Sequence, residues 1–309
     1  MYKVVTKRFL NEAKTICLFE IEAPRVARHA QAGQFVIFRL DEQGERVPVS
    51  VAGWDREKGT VTVMVQAAGR TTKMLHTVEE GDYISDFVGP LGKATEMDGL
   101  QKVCVVGGGV GCAIAYPIAK EMHKLGIDVT FIAGFRSADI VILKEELKAA
   151  SDKLIICTDD GSYGEKGFTT QYLQQEIEAN IAEGKLQFDR VIAIGPDIMM
   201  KFLADVTRPY GIKTIISLDP IMVDGTGMCG GCRVIVGGET KFACVDGPDF
   251  DAHEVDFDSL LKRAAFYKDE QDEAAQHICR MTGGKRNGYY EDAEKSLAGA
   301  GSSGKKQKL

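Results

Sequence analysis

The stretch Lys102-Val103-Cys104-Val105-Val106-Gly107-Gly108-Gly109-Val110-Gly111 decides the reading of this 309-residue chain. After Lys102 the run is short and continuously apolar, the pattern of a parallel strand buried on both faces. A glycine turn follows, and a helical stretch is predicted from about residue 111 to 124. Glycine there lets the backbone approach a pyrophosphate, and the helix N-terminus supplies N–H donors and the positive end of its dipole. Gly108, Gly109, Val110 and Gly111 are therefore candidate nucleotide contacts. The full G-x-G-x-x-G fingerprint fails, because Cys112 takes its last position. No acidic residue ends the next strand, where Gly134-Phe135-Arg136-Ser137 stands. A tight strand-to-helix turn without a ligand remains the other reading of the motif.

Downstream, further apolar runs recur at 128–133, 154–158, 190–194 and 213–217, with helical segments between most of them. That alternation predicts a doubly wound parallel sheet. Ligands of open parallel sheets gather at the carboxyl ends of the strands. Thr158-Asp159-Asp160-Gly161 and Gly195-Pro196-Asp197 stand at two such ends. Upstream, residues 1 to about 97 alternate at period two over short runs such as Gln34-Phe35-Val36-Ile37-Phe38 and Thr60-Val61-Thr62-Val63-Met64-Val65. Turn residues separate them, as in Asp55-Arg56-Glu57-Lys58-Gly59. Short strands at such spacing predict a small antiparallel barrel or sandwich.

The length suits two domains and a small module. A net charge of −7 argues against nucleic acid as the main partner, since phosphate binding needs a basic stripe. No apolar run of eighteen or more residues predicts a membrane-spanning helix, and the N-terminus has no secretory apolar region. A cytoplasmic location is expected. Cys17, Cys104, Cys112, Cys157 and Cys279 are scattered and read as small buried hydrophobes of a reducing compartment.

Cys229-Gly230-Gly231-Cys232 is different. Cys244 follows after eleven residues, and Asp224-Gly225-Thr226-Gly227-Met228 precedes it. The spacing Asp-x4-Cys-x2-Cys-x11-Cys matches a plant-type two-iron, two-sulfur (2Fe-2S) site whose first cysteine is replaced. Glycines at 225, 227, 230 and 231 permit tight turns that point backbone N–H groups at cluster sulfurs, which stabilises a reduced, anionic cluster. Zinc is the rival, but it calls for four ligands in paired spacing and only one Cys-x2-Cys pair is present. His253 could be its fourth ligand. Asp224 reads either as an iron ligand or as an Asp-Gly turn residue.

The order of parts resembles the ferredoxin–NADP reductase superfamily. That implies an α/β plus β architecture: an antiparallel β-barrel flavin domain, a doubly wound parallel-sheet nucleotide domain and a small C-terminal 2Fe-2S module. Expected boundaries are 1–97, 98–220 and 221–250, with a helical extension over 251–284 and a flexible tail over 285–309. Arg46-Val47-Pro48-Val49-Ser50 looks like the superfamily's Arg-x-x-Ser flavin signature, with one extra residue between arginine and serine. The resemblance implies that Arg46 pairs with the FAD pyrophosphate and Ser50 with the flavin ring, beside Val49, Gln66 and Ala67. Gly69, Thr71 and Thr72 would form the second flavin-phosphate loop. Asp159, Asp160, Gly195 and Pro196 would line the nicotinamide nucleotide, and Asp224, Cys229, Cys232 and Cys244 would hold the cluster. Gly89-Pro90-Leu91-Gly92 would close the barrel.

Barrel, nucleotide domain and C-terminal cluster, in that order, resemble the electron-transfer subunits of dihydroorotate dehydrogenase B. They resemble still more the small subunit of NADH-dependent reduced ferredoxin:NADP oxidoreductases, which has aspartate at the first ligand position and a helical extension like Ser259–Met281. This resemblance implies cofactors FAD, a 2Fe-2S cluster and NAD(H), with no catalytic side chain, because the cofactors carry the chemistry. It also implies a heterodimer with a larger subunit holding a second FAD and four-iron clusters, which bifurcates electrons and reaches ferredoxin. The alternatives are a dihydroorotate dehydrogenase subunit and, from another class, a zinc-stabilised interaction module.

Overall fold

The computed structural model describes residues 1–42 and 44–266. The first sheet is built from β1 (Tyr2–Phe9), β2 (Ile16–Glu22), β3 (Phe35–Arg39), β4 (Val47–Asp55), β5 (Thr60–Gln66), β6 (Tyr83–Ile84) and β7 (Asp86–Leu91). Its order is β6-β1-β2-β5-β4-β3-β7 and every pairing is antiparallel. The two edge strands β6 and β7 are separated in sequence by Ser85 alone, so the sheet curls back on itself into a near-closed barrel. Two short helices, α1 (Pro24–His29) and α2 (Arg70–Leu75), decorate it. Alternating side chains fill the interior, where Phe19, Phe38 and Phe87 are fully buried. Each such side chain contributes about 1.5–3 kcal/mol by leaving water.

The second sheet contains β8 (Lys102–Gly108), β9 (Asp128–Phe135), β10 (Lys153–Thr158), β11 (Glu165–Lys166), β12 (Arg190–Ile194) and β13 (Thr214–Ser217). Helices α3 (Gly111–Lys124), α4 (Lys144–Ala149), α5 (Thr169–Ala182) and α6 (Asp197–Thr207) connect them. The order β11-β10-β9-β8-β12-β13 is parallel throughout. The direction of winding reverses between β8 and β12, which opens a crevice at their carboxyl ends. The expected parallel sheet and its apolar runs are therefore present, with β8 buried along nearly its whole length.

After β13 the chain leaves the sheet, forms a hairpin of β14 (Arg233–Val236) and β15 (Glu239–Phe242), and returns as β16 (Asp249–Asp251), antiparallel to β13. Helix α7 (Phe257–Ala264) follows, with Asp256 capping its N-terminus through the N–H of Ser259. The predicted extension Ser259–Met281 lies partly, and the tail and Cys279 wholly, outside the described residues. Among the described residues, no helix is long and apolar enough to cross a membrane. The four scattered cysteines that are described, Cys17, Cys104, Cys112 and Cys157, are buried free thiols.

Candidate functional site

The glycine turn after β8 uses its residues in two ways. A Cβ on Gly111 would lie 2.2 Å from the Ile194 carbonyl oxygen, so only glycine lets α3 start this close to β12. Gly109 has φ +57° and open space where a Cβ would point. The first use is packing; the second leaves a cradle that a ligand's diphosphate can enter. Gly195 closes against Gly108, and Pro196 lies on the same glycine. The structure thus gathers Gly108, Gly109, Val110, Gly111, Gly195 and Pro196 around one crevice. Asp159 and Asp160 stand at the end of β10, two strands from β8. The Asp160 carboxylate accepts from the N–H and hydroxyl of Ser162, which holds it below the ordinary carboxylate range and ties it to its own turn.

One residue of the crevice was not among the sequence candidates, and another stood there only as the end of the Gly195-Pro196-Asp197 loop. The Met199 side chain covers Gly108 and Gly195; at position i+3 of a helix it is indistinguishable in sequence from core. Asp197 opens α6 directly behind Pro196, and burial, helped by the charge of Asp219, raises its carboxyl to about 6. Carboxyls raised in this way cluster at functional sites, and this one stands at the carboxyl end of the parallel sheet.

On the barrel, Val49 and Ser50 lie on β4 opposite Val36 and Phe35. Helix α3, which begins at the glycine turn, packs against β4. The strand that carries the flavin candidates and the helix that the glycine turn opens are thereby neighbours. Gln66 ends β5, and the Ala67 N–H donates to the Thr15 carbonyl at 2.9 Å. The Thr72 hydroxyl accepts from the N–H groups of Ala68 and Gly69 at 3.1 and 3.0 Å and donates to the Gly69 carbonyl. It therefore shapes the loop that opens α2. The Thr71 hydroxyl donates to Glu45. Leu40, Glu45, Arg70, Thr71 and Met74 border a cavity of about 380 Å³ beside this loop. Arg46 points elsewhere: its Nε donates to the Val223 carbonyl at 2.6 Å, and Nη2 to the Asp224 carbonyl at 3.4 Å.

The excursion between β13 and β16 carries the cysteines. Cys232 and Cys244 are buried, each 1% exposed, whereas Cys229 faces solvent. The Gly231 N–H points at Cys229 Sγ at 3.4 Å, and the Cys244 N–H at Cys232 Sγ at 3.5 Å. Burial, with Cys232 alongside, pushes the Cys244 thiol up to about 12. A buried thiol of this kind ionises when a cation compensates it, which is what iron coordination does. Backbone N–H groups already directed at sulfur suit a cluster whose sulfurs gain charge on reduction. The Asp224 carboxylate accepts from the N–H groups of Thr226 and Cys229, both at 2.9 Å, and they hold it below the ordinary carboxylate range. It keeps further lone pairs for a metal.

Among the described residues, no three His, Cys, Asp or Glu side chains converge as one metal ion requires. His253 pairs with the Thr207 hydroxyl at 2.9 Å, near α6, rather than with the cysteines. A two-iron cluster distributes its four ligands over two metals, so the donor set here fits the cluster better than a single zinc.

Comparison with known proteins agrees with this geometry. Residues 219–256 match the family described as the iron-sulfur cluster binding domain of dihydroorotate dehydrogenase B. The chain is 44% identical over 271 residues to a Thermotoga maritima protein named as a homolog of the electron transfer subunit of dihydroorotate dehydrogenase B (NAD(+)), covering 88% of this chain and 94% of the relative. The electron transfer subunit of dihydroorotate dehydrogenase B from Fusobacterium nucleatum is 32% identical over 254 residues, or 80% of this chain and 95% of that subunit. A chain in the solved structure of an NADH-dependent reduced ferredoxin-NADP oxidoreductase, described for flavin-based electron bifurcation, superposes with a TM-score of 0.83 at 42% identity, covering 90% of this chain and 97% of that one.

Proposed function

This chain belongs to the family of electron-transfer subunits of the dihydroorotate dehydrogenase B type, and from that membership we propose that it is the NAD(H)-facing subunit of an electron-bifurcating NADH-dependent ferredoxin:NADP oxidoreductase. It exchanges hydride with NAD(H) at FAD and passes single electrons through a 2Fe-2S cluster to a larger partner subunit. The observation that carries the reading is the excursion between β13 and β16, which brings Asp224, Cys229, Cys232 and Cys244 into one loop and packs Cys232 and Cys244 in a core shared by both sheets. The bifurcating assignment, over a dihydroorotate dehydrogenase, is supported by the superposition with the oxidoreductase chain at a TM-score of 0.83 over 97% of that chain; identity alone does not separate the two, at 42% to that chain and 44% to the Thermotoga maritima homolog. Asp224 at the first ligand position supports it too.

The bound flavin and cluster supply two-electron and one-electron chemistry respectively; the chain's residues bind, orient and shield. Gly109 admits the dinucleotide diphosphate, while Gly195, Pro196 and Met199 form the opposite wall. Val49, Ser50, Gln66 and Ala67 would hold the flavin ring of FAD, and Gly69, Thr71 and Thr72 would form the loop for its phosphates. Asp159 and Asp160 would line the nicotinamide nucleotide. Asp224, Cys229, Cys232 and Cys244 ligate the irons. Val223, Met228 and Val245 leave apolar surface beside the exposed Cys229, which suits a protein face. The partner there is a larger subunit with its own FAD and four-iron clusters, forming a cytoplasmic heterodimer.

Anaerobically purified protein tests this through its visible spectrum with flavin, iron and zinc counted. FAD together with about two irons per chain is the expected result. Zinc without iron would overturn it. Diaphorase rates with NADH and NADPH test the nicotinamide preference. NADH is expected to be preferred, although Arg136, exposed at the end of β9, could meet a 2′-phosphate.

A further inference from the structure

Arg46 precedes the strand that carries Ser50, and one residue too many separates the two for the flavin-phosphate signature. Its guanidinium crosses to the cluster excursion and donates to two successive carbonyls, Val223 and Asp224. The contact spans 177 residues of sequence. A planar fork reaching neighbouring acceptors is what arginine does and lysine cannot.

The neighbouring residue shows that the junction is tight. Gly225 has φ +76°, and a Cβ there would lie 2.7 Å from Ile37 Cδ1 and 2.8 Å from Leu91 Cδ1. Ile37 is on β3, paired with Pro48 of β4, and Leu91 is on β7. The backbone immediately after Asp224 thus lies directly on the barrel wall, beside the strand end from which Arg46 extends. Phe35 and Ile37 of the barrel share a core with Met222, Cys232 and Cys244. The far end of the excursion is also fastened to the barrel side: the Lys93 N–H donates to the Gly247 carbonyl at 2.7 Å, and the Thr95 hydroxyl to Asp249 at 2.6 Å.

We infer that Arg46 is a positioning residue for the iron–sulfur loop, clamping residues 223–224 to the flavin barrel and holding a positive charge beside the first cluster ligand. This rests on the cluster reading of Asp224, Cys229, Cys232 and Cys244. It assigns Arg46 away from the FAD pyrophosphate. Ser50 and Arg46 are four residues apart on one extended segment, about 13 Å at the rise of a strand. The clamp therefore fixes the separation between the flavin end of that segment and the cluster end. It also biases the cluster: a fixed cation near an anionic centre favours the reduced form, so net charge and nearby hydrogen bonds set the potential.

The test uses whole purified protein and compares wild type with Arg46→Met and Arg46→Lys. Flavin and iron contents, the electron paramagnetic resonance spectrum of the reduced cluster and its midpoint potential are measured. Arg46→Met is expected to keep wild-type flavin content, to lower the midpoint potential and to broaden or shift the resonance. Arg46→Lys, which keeps the charge but not the fork, should keep a midpoint closer to wild type while the resonance still shifts. Flavin loss with an unmoved cluster signal would return Arg46 to the pyrophosphate and overturn the inference; so would a Met variant identical to wild type in potential and resonance. If the Met variant does not accumulate, the Lys variant decides, since a wild-type resonance there removes the clamp. Wild-type protein without an iron–sulfur signal would instead sink the underlying cluster reading.

Discussion

The nucleotide crevice and the cluster excursion do comparable work by opposite means. The crevice is lined by backbone at Gly108, Gly109 and Gly195, and its shape follows from two adjacent parallel strands ending together. The excursion is almost the reverse. Its proposed function resides in four side chains, its backbone is irregular, and its place depends on long-range contacts to the barrel from Arg46, Lys93 and Thr95. A site made of missing atoms fails when atoms are added. A site made of donor atoms fails when they are removed.

The largest effect should come from removing a donor. Cys232 is buried and its sulfur accepts from the Cys244 N–H. Cys232→Ala should lose the visible iron–sulfur bands, with an affinity penalty beyond the roughly 10–100-fold typical of an outer-shell partner. The thermal midpoint should fall as well, because cluster binding is part of the folding energy. Flavin content should survive, since the barrel has its own core. Iron content matching wild type would end the comparison at once.

Adding an atom to the crevice should rank second. Gly111→Ala places a methyl against the Ile194 carbonyl, a backbone group that cannot step aside. A cost of about 2–3 kcal/mol in urea unfolding is expected, as for overpacked cores. Gly109→Ala sharpens the contrast. Open space surrounds it, so stability should drop by only about 1–2 kcal/mol for the left-handed backbone, while the KM for NADH rises. Equal stability losses in both, with an unchanged KM, would mean that Gly109 faces no ligand.

Much of the crevice was legible because its signals are local. The apolar run after Lys102 must be a buried strand, and glycines at its end restrict what can follow. The cysteine spacing was legible for a different reason: iron ligation tolerates few separations. What stayed hidden was decided by docking. Nothing around Arg46 reveals that its partners lie near residue 223, because a guanidinium's destination depends on which loop the fold brings within reach. Asp249–Asp251 is too short for its period to register, yet it becomes an edge strand by pairing with β13. His253 looked available to a metal until the fold set it beside Thr207.

Asp224 tests the boundary between shaping a loop and donating from it, with an intermediate effect. Its carboxylate already supports the turn through Thr226 and Cys229. Asp224→Asn keeps an acceptor for that turn but is a much poorer iron ligand. Stability should change little, because the turn keeps its acceptor, while the cluster spectrum and midpoint move. Asp224→Cys should assemble a cluster with a shifted midpoint, because thiolate is softer than carboxylate. An Asn variant with unaltered iron, spectrum and potential would leave Asp224 as a turn residue only.

The smallest effect concerns a charge in the crevice, where the comparison predicts a penalty rather than a contribution. Asp197 is partly buried at the start of α6 and its carboxyl is raised to about 6, first by burial and then by Asp219. The unfolded chain titrates it near 3.9. Between those values the folded state holds the proton more tightly, so stability falls as pH rises from about 4 to about 6 and is level above. Asp197→Asn removes the ionisation. The variant should therefore be more stable than wild type at pH 7.5, by about 1 kcal/mol after allowing for partial solvent screening. The gap should close at pH 4. Asp249, raised to about 6 by burial, adds a second contribution of the same sign, which the single variant leaves in place. Urea unfolding at the two pH values, wild type against Asp197→Asn, separates the groups by subtraction. A variant less stable than wild type at pH 7.5 would show that the Asp197 carboxylate is engaged as an anion, and that this wall of the crevice, like the cluster loop, works through its side chain.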